Sequence, residues 1–263
     1  MEKDQITISV GGLSLGFSFR NRKLINRLMS RYTGYCGADS RSECTFLCSF
    51  SNRKLASYQQ VRYSTDANGL HHAKRYDFDA QWSGNTGEMT LWPSLYSFDA
   101  CLRVILSNRI TERNGLMLHA SAVVRHNSAF IFMGPSGSGK TTIARLSGAQ
   151  KILSDEIVAL RIAHENTVRV YGTPFWGEMG KGPSWPKSYK VRSIFFLKKS
   201  NTLHTVRIGS DSAIRALLRC VCLFGNNPFD LQTSLDTCSK TVSIVDCREL
   251  HFPKKPLEWE KLG

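Results

Sequence analysis

The run Gly134-Pro135-Ser136-Gly137-Ser138-Gly139-Lys140-Thr141-Thr142 has the spacing of a phosphate-binding loop, G-x-x-x-x-G-K-[ST]. A nucleoside triphosphate concentrates several negative charges in a small volume, so holding it takes many donors at close range. Glycines remove the Cβ atoms that would keep the backbone away, and consecutive N–H groups can then turn inward. The spacing assigns Gly134, Ser136, Gly137, Ser138, Gly139, Lys140, Thr141 and Thr142 to ATP. Lys140 supplies a charge for the β- and γ-phosphates, and the Thr141 hydroxyl is placed for Mg²⁺.

Holding phosphates is not transferring them. Transfer also needs a carboxylate for the metal or for the incoming hydroxyl. Asp155 follows Lys140 by fifteen residues, enough for one helix and a strand that returns beside the loop. Glu156 is expected on the opposite side if the segment is extended. His119 ends the apolar run Leu116-Met117-Leu118 and is a candidate proton relay; the bland alternative is a satisfied core histidine. Glu178, in Tyr171-Gly172-Thr173-Pro174-Phe175-Trp176-Gly177-Glu178-Met179-Gly180, is a candidate metal or substrate ligand. Phe175 or Trp176 is a candidate pocket wall, against the alternative of a structural turn carrying two aromatics. Lys181, Lys187 and Lys190 are equal candidates to stabilise transferred charge.

Several elements must position these groups. Ala129–Met133 is apolar enough for a buried strand, and Thr142–Leu146 has helical spacing with a stop at Gly148. Leu116–Val124, a turn at 125–128 and the loop strand predict a β-hairpin feeding the loop. Lys151–Leu160 reads as a strand interrupted by the two acids. Upstream, residues 5–20 alternate around Gly11-Gly12 as a hairpin, and a helix follows through Met29. Short strands are expected at Cys44–Phe50, Tyr58–Tyr63, Lys74–Phe78 and Glu88–Leu91. Phe98, Leu102, Ile105 and Leu106 predict an amphipathic helix to about Ile110. Beyond the acids, strands are expected at 168–171, 194–197, 204–208, 242–245 and 247–252, with a helix over 212–222. The division is a strand-rich N-terminal region, 1–95, and an ATP-binding domain, 96–263.

The chain carries 35 basic and 21 acidic residues, a net charge of +14. That balance favours an acidic partner or reads simply as a solvated face; the basic residues are scattered in short groups such as Lys74-Arg75, and no nucleic-acid module accompanies them. No run of ~18 apolar residues marks a membrane span, and the charged stretch Met1-Glu2-Lys3-Asp4-Gln5 leads to the expectation of no secretory signal. The eight cysteines lack zinc spacing and read as free thiols of a cytoplasmic protein.

The succession Leu118-His119-Ala120-Ser121, Gly134–Thr142, Leu153-Ser154-Asp155-Glu156 and Gly172–Glu178 resembles the HPr serine kinase/phosphorylase-related family, as a diverged member, over residues 98–260. The resemblance implies an α/β (α+β) fold related to phosphoenolpyruvate carboxykinase, a P-loop domain rich in mixed β-sheet. It implies ATP, Mg²⁺ and transfer to a serine hydroxyl; His119 matches the family's histidine before the loop, and Asp155 and Glu156 match its paired acids, of which one is catalytic. The residues themselves, apart from the resemblance, point Thr141, Asp155 and Glu178 toward the metal. Two departures stand out: the second acid is Glu, and Gly-Thr-Pro-Phe-Trp-Gly-Glu replaces an arginine-glycine signature. The implied acceptor is therefore a serine of a protein or peptide, acidic given the charge balance, rather than HPr itself; homo-oligomerisation stays open. The competing readings are an ATP-binding regulatory module without transfer and a small-metabolite kinase. The latter class usually starts near its P-loop strand, whereas here more than a hundred residues precede it.

Overall fold

The computed structural model describes residues 4–19, 22–37, 41–148, 151–163, 166–180, 187–225 and 227–262. Two units emerge, residues 1–109 with 223–230, and residues 110–222 with 231–263. The architecture is mixed α/β, with two large mixed sheets and five α-helices among the described residues.

Alternation builds the first unit. Strands β1 (Asp4–Val10) and β2 (Leu13–Phe19) form a hairpin whose turn, Gly11-Gly12, holds two positive φ angles. Helix α1 (Arg22–Arg31) follows, then β3 (Cys36–Gly37), β4 (Cys44–Phe50), β5 (Arg62–Thr65), β6 (His71–Arg75), β7 (Phe78–Ser83), β8 (Thr86–Leu91) and helix α2 (Leu95–Thr111). The sheet runs β3-β1-β2-β4-β8-β7-β6-β5, parallel at β2–β4 and β4–β8 and antiparallel elsewhere. In β7, Phe78, Ala80 and Trp82 are buried while Gln81 and Ser83 are exposed, the signature of a sheet with one wet face. The rings of Phe17, Phe19 and Tyr32 gather on Phe98 of α2, and Trp82 Nε1 donates to Asn108 Oδ1 at 3.0 Å.

In the second unit both sheet faces are covered. It contains β9 (Gly115–Arg125), β10 (Ser128–Met133), α3 (Lys140–Leu146), β11 (Lys151–Ser154), β12 (Ile157–Ala163), β13 (Thr167–Tyr171), β14 (Ser188–Lys199), β15 (His204–Arg207), α4 (Ser210–Leu218), most of α5 (Pro228–Ile244) and β16 (Asp246–Phe252). Pairings β9–β10, β10–β14, β14–β13, β13–β12 and β12–β9 close into a ring, with β10–β14 parallel. Strands β16 and β15 extend the sheet beyond β14, and β11 pairs with β9. Along β10, Ala129, Ile131 and Met133 join one apolar cluster, and Phe130 and Phe132 join another. This is why the strand reads as an unbroken apolar run. The β9–β10 turn is His126-Asn127, both at positive φ as a two-residue hairpin favours.

Four expectations need correction. Only Arg62–Thr65 is a strand in the Tyr58–Tyr63 region. Lys74–Phe78 spans the β6–β7 turn, because Asp77 turns inward to meet Arg75. Val242–Val245 is the end and exit of α5 rather than a strand. Helix α2 is buried nearly all round instead of amphipathic, since Cys101, Val104 and Ile110 are as inaccessible as Leu102 and Ile105. Among the described residues no helix is long and apolar enough to cross a membrane.

Candidate functional site

Strand β10 delivers the chain to Gly134, and α3 begins at Lys140. Between them the backbone turns tightly. Gly139 has φ 99°, and a Cβ there would stand 2.8 Å from the Phe252 ring, so only glycine fits. The first residue of α3 is fastened to the hairpin below it: Ser121 Oγ of β9 donates to Lys140 O at 2.9 Å. The Lys140 ammonium folds back over the loop and donates to Gly134 O (3.0 Å) and Pro135 O (3.2 Å). Burial pushes its pKa below the usual lysine range, against an opposing pull from the Cys220 thiol.

The strand expected over Lys151–Leu160 breaks at the acids. Ser154 Oγ accepts the N–H groups of Glu156 and Ile157 and donates to Phe175 O, making a turn between β11 and β12. Asp155 and Glu156 therefore line one cavity rather than opposite faces. Asp155 is 2% exposed. Its Oδ1 accepts Gly177 N–H at 2.8 Å, and its Oδ2 accepts Met179 N–H at 3.0 Å and the Thr141 hydroxyl at 3.4 Å. Gly177 permits this approach: a Cβ there would lie 3.2 Å from Asp155 Oδ2. Thr173 Oγ1 donates to Ile157 O and accepts Phe175 N–H, stitching the 172–180 loop to the acid turn.

The resulting cavity, about 320 Å³, is lined by His119, Ser136, Gly137, Gly139, Lys140, Thr141, Thr142, Asp155, Glu156, Gly177 and Glu178. His119 shares a strand face with Ser121, pairs with Ile157 across β12 and has an exposed side chain. Gly134 and Ser138 belong to the same loop. Ser138 Oγ is buried and without a hydrogen-bond partner.

Not every candidate arrives here. Phe175 is fully buried core, and neither it nor Trp176 lines the cavity. Lys187 and Lys190 are exposed and do not line it; Lys181 lies outside the described residues. Ser154 and Thr173, which shape the acid turn, were missed. The Ser-Asp and Gly-Thr-Pro runs carried a turn signal that could have found them. A larger cleft of about 640 Å³, lined by Asn114, Arg161, Tyr171, Asp236 and Lys240 among others, shares no lining residue with this cavity.

Oxygen ligands from a hydroxyl and a carboxylate side by side suit a hard divalent cation such as Mg²⁺, which keeps waters and substrate oxygens as its remaining ligands. Among the described residues no three His, Cys, Asp or Glu side chains cluster to hold an ion unaided. The residues that could hold such an ion are Thr141 and Asp155, with Glu178 lining the same cavity.

The family model that matches the chain is that of SynChlorMet cassette protein ScmC, over residues 94–223, just under half of the chain. The matched stretch holds the loop, both acids and the 172–180 segment. No HPr kinase model matches, which overturns the family resemblance drawn from the motifs. A phosphate loop and an acid pair recur in unrelated phosphotransferases, and their order alone does not fix a lineage. No curated protein matches the sequence.

Proposed function

We propose that the chain is an ATP-dependent phosphotransferase that moves the γ-phosphate to a hydroxyl, a serine of a protein or peptide. One observation carries this reading: a buried carboxylate, Asp155, is held by amides beside the loop threonine without a cationic partner among the described residues. Buried charge is costly unless compensated, and a nucleotide-bound divalent cation supplies the compensation. Thr141 and Asp155 would hold that Mg²⁺, which neutralises charge on the β- and γ-phosphates.

The residues of the chain divide the remaining work. Loop amides and Lys140 orient the triphosphate, so that Lys140 exchanges the carbonyls of Gly134 and Pro135 for phosphate oxygens. His119 and Glu156 line the same cavity, which supports them as acceptors of the hydroxyl proton, with Asp155 orienting the reacting groups. Catalysis is mainly positioning and electrostatics. The cavity, about 320 Å³, has room for a phosphate tail. The net charge of +14 favours an acidic acceptor. The antiparallel hairpin feeding the loop supports a carboxykinase-like fold for this unit. The intracellular style of cysteine usage, with buried thiols such as Cys48, Cys101 and Cys238, supports a cytoplasmic setting.

The test is incubation of the protein with ATP, Mg²⁺ and the products of neighbouring genes, where the word cassette directs the search, followed by mass spectrometry of what gains phosphate. Lys140→Ala should abolish the gain. Label transfer at the normal rate by that variant would refute the proposal. Asp155→Asn separates transfer from sensing, because a sensor would respond to ATP unchanged.

A further inference from the structure

Arg145 lies four residues beyond Thr141 on α3, hence on the same helix face. Its Nη2 donates to Glu178 O at 3.3 Å. That carbonyl belongs to the peptide unit whose N–H, on Met179, donates to Asp155 Oδ2 at 3.0 Å. A trans peptide points its C=O and N–H in opposite directions. The Glu178–Met179 peptide is therefore held at both ends, by a guanidinium on one side and a carboxylate on the other. Thr141 reaches the same Oδ2 directly. Helix α3 thus touches Asp155 twice, once through a hydroxyl and once through a peptide.

We propose that Arg145 is a positioning residue for the phosphate site: it fixes the polarity of the Glu178–Met179 peptide, and through it the orientation of the Asp155 carboxylate. This rests on the phosphotransferase reading for its purpose but not for its geometry. A cation on the carbonyl polarises the peptide and strengthens its N–H as a donor. It also opposes a peptide flip, which would turn the Glu178 carbonyl toward the carboxylate. Gly177 adds the second amide, to Oδ1 at 2.8 Å, so both oxygens are steered by one short loop. An arginine suits the task because its planar fork holds a fixed direction, which a lysine ammonium does not.

The experiment compares wild type, Arg145→Ala and Arg145→Lys. In the nucleotide-free protein, amide hydrogen exchange at Gly177 and Met179 should rise about five-fold in Arg145→Ala, the effect of one lost charge-assisted hydrogen bond, while the amides of 129–133 keep their protection. In the ATP complex, Mn²⁺ binding followed by electron paramagnetic resonance should weaken several-fold. Arg145→Lys should fall between the two. Unchanged exchange at 177 and 179, unchanged Mn²⁺ affinity, or a uniform rise across the unit would each overturn the inference. A wild-type protein that binds no ATP would instead sink the functional reading and leave the exchange result standing.

Discussion

Two aspartates, one in each unit, are equally hidden: Asp77 and Asp155 are both 2% exposed. Their surroundings differ in one respect. Asp77 receives Arg75 through Nε at 2.6 Å and Nη2 at 2.9 Å, with the Ser97 hydroxyl completing its shell. The Arg75 guanidinium in turn lies over the rings of Tyr96 and Phe78. Asp155 receives two amides and a hydroxyl, all neutral. A buried acid that brings its own cation is a strut of the fold. A buried acid furnished only with dipoles is oriented but not neutralised, and its charge remains available to a cation that comes with a substrate.

Exchanging the two kinds of partner should separate stability from chemistry. Asp155→Asn, read by radiolabel transfer and urea denaturation, should lower phosphate transfer by about a thousandfold while costing only about 1–2 kcal/mol of unfolding free energy, because its NH₂ would face one of the two N–H donors. Asp77→Ala should do the reverse. It strands the Arg75 guanidinium and should cost about 3–5 kcal/mol in denaturation, with nucleotide affinity kept wherever the second unit remains folded. Gly177→Ala sharpens the contrast by disturbing the Asp155 carboxylate without removing it. The added Cβ, 3.2 Å from Oδ2, should reduce turnover about tenfold. The smallest effect belongs to Asp79. Burial raises its pKa, but Lys74 and His72 outweigh that and leave it lowered. It therefore contributes stability above the unfolded carboxylate pKa, lost as pH falls through the folded value. Because the pair is solvent-screened, Asp79→Asn should cost no more than about 0.5 kcal/mol at neutral pH. Urea midpoints measured down a pH series should show that difference vanish at the acid end.

The same pair of aspartates marks what could be read from the chain. Asp155 announced itself through its distance from a loop with fixed spacing, and the hairpin carrying His119 through two apolar runs on either side of a polar turn. Asp77 did not, because nothing local says that Arg75 two residues earlier turns inward to meet it. The basic pair Lys74-Arg75 looked like surface charge, yet Arg75 is buried on Asp77 and Lys74 is paired with Asp79. Helix α5 escaped notice for a related reason. Its hidden side is Ser234, Thr237, Cys238 and Thr241, while Phe229, Leu231 and Leu235 are exposed, so hydropathy reads it inside out. The break at the acids is set by the Ser154 side chain catching two amides, a choice between strand and turn that tertiary contacts decide. The motif order suggested a lineage that the family match does not support, since chemistry constrains a site more tightly than it constrains ancestry.

Strand β10 has a neighbour along both edges, β9 on one side and β14 on the other. The cradle at its tip consequently has no loose border from which to peel away. Grip on a nucleotide and integrity of that half of the molecule should vanish in a single step on heating or in denaturant, so a bound fluorescent nucleotide would serve as a gauge of how much of that half is still folded.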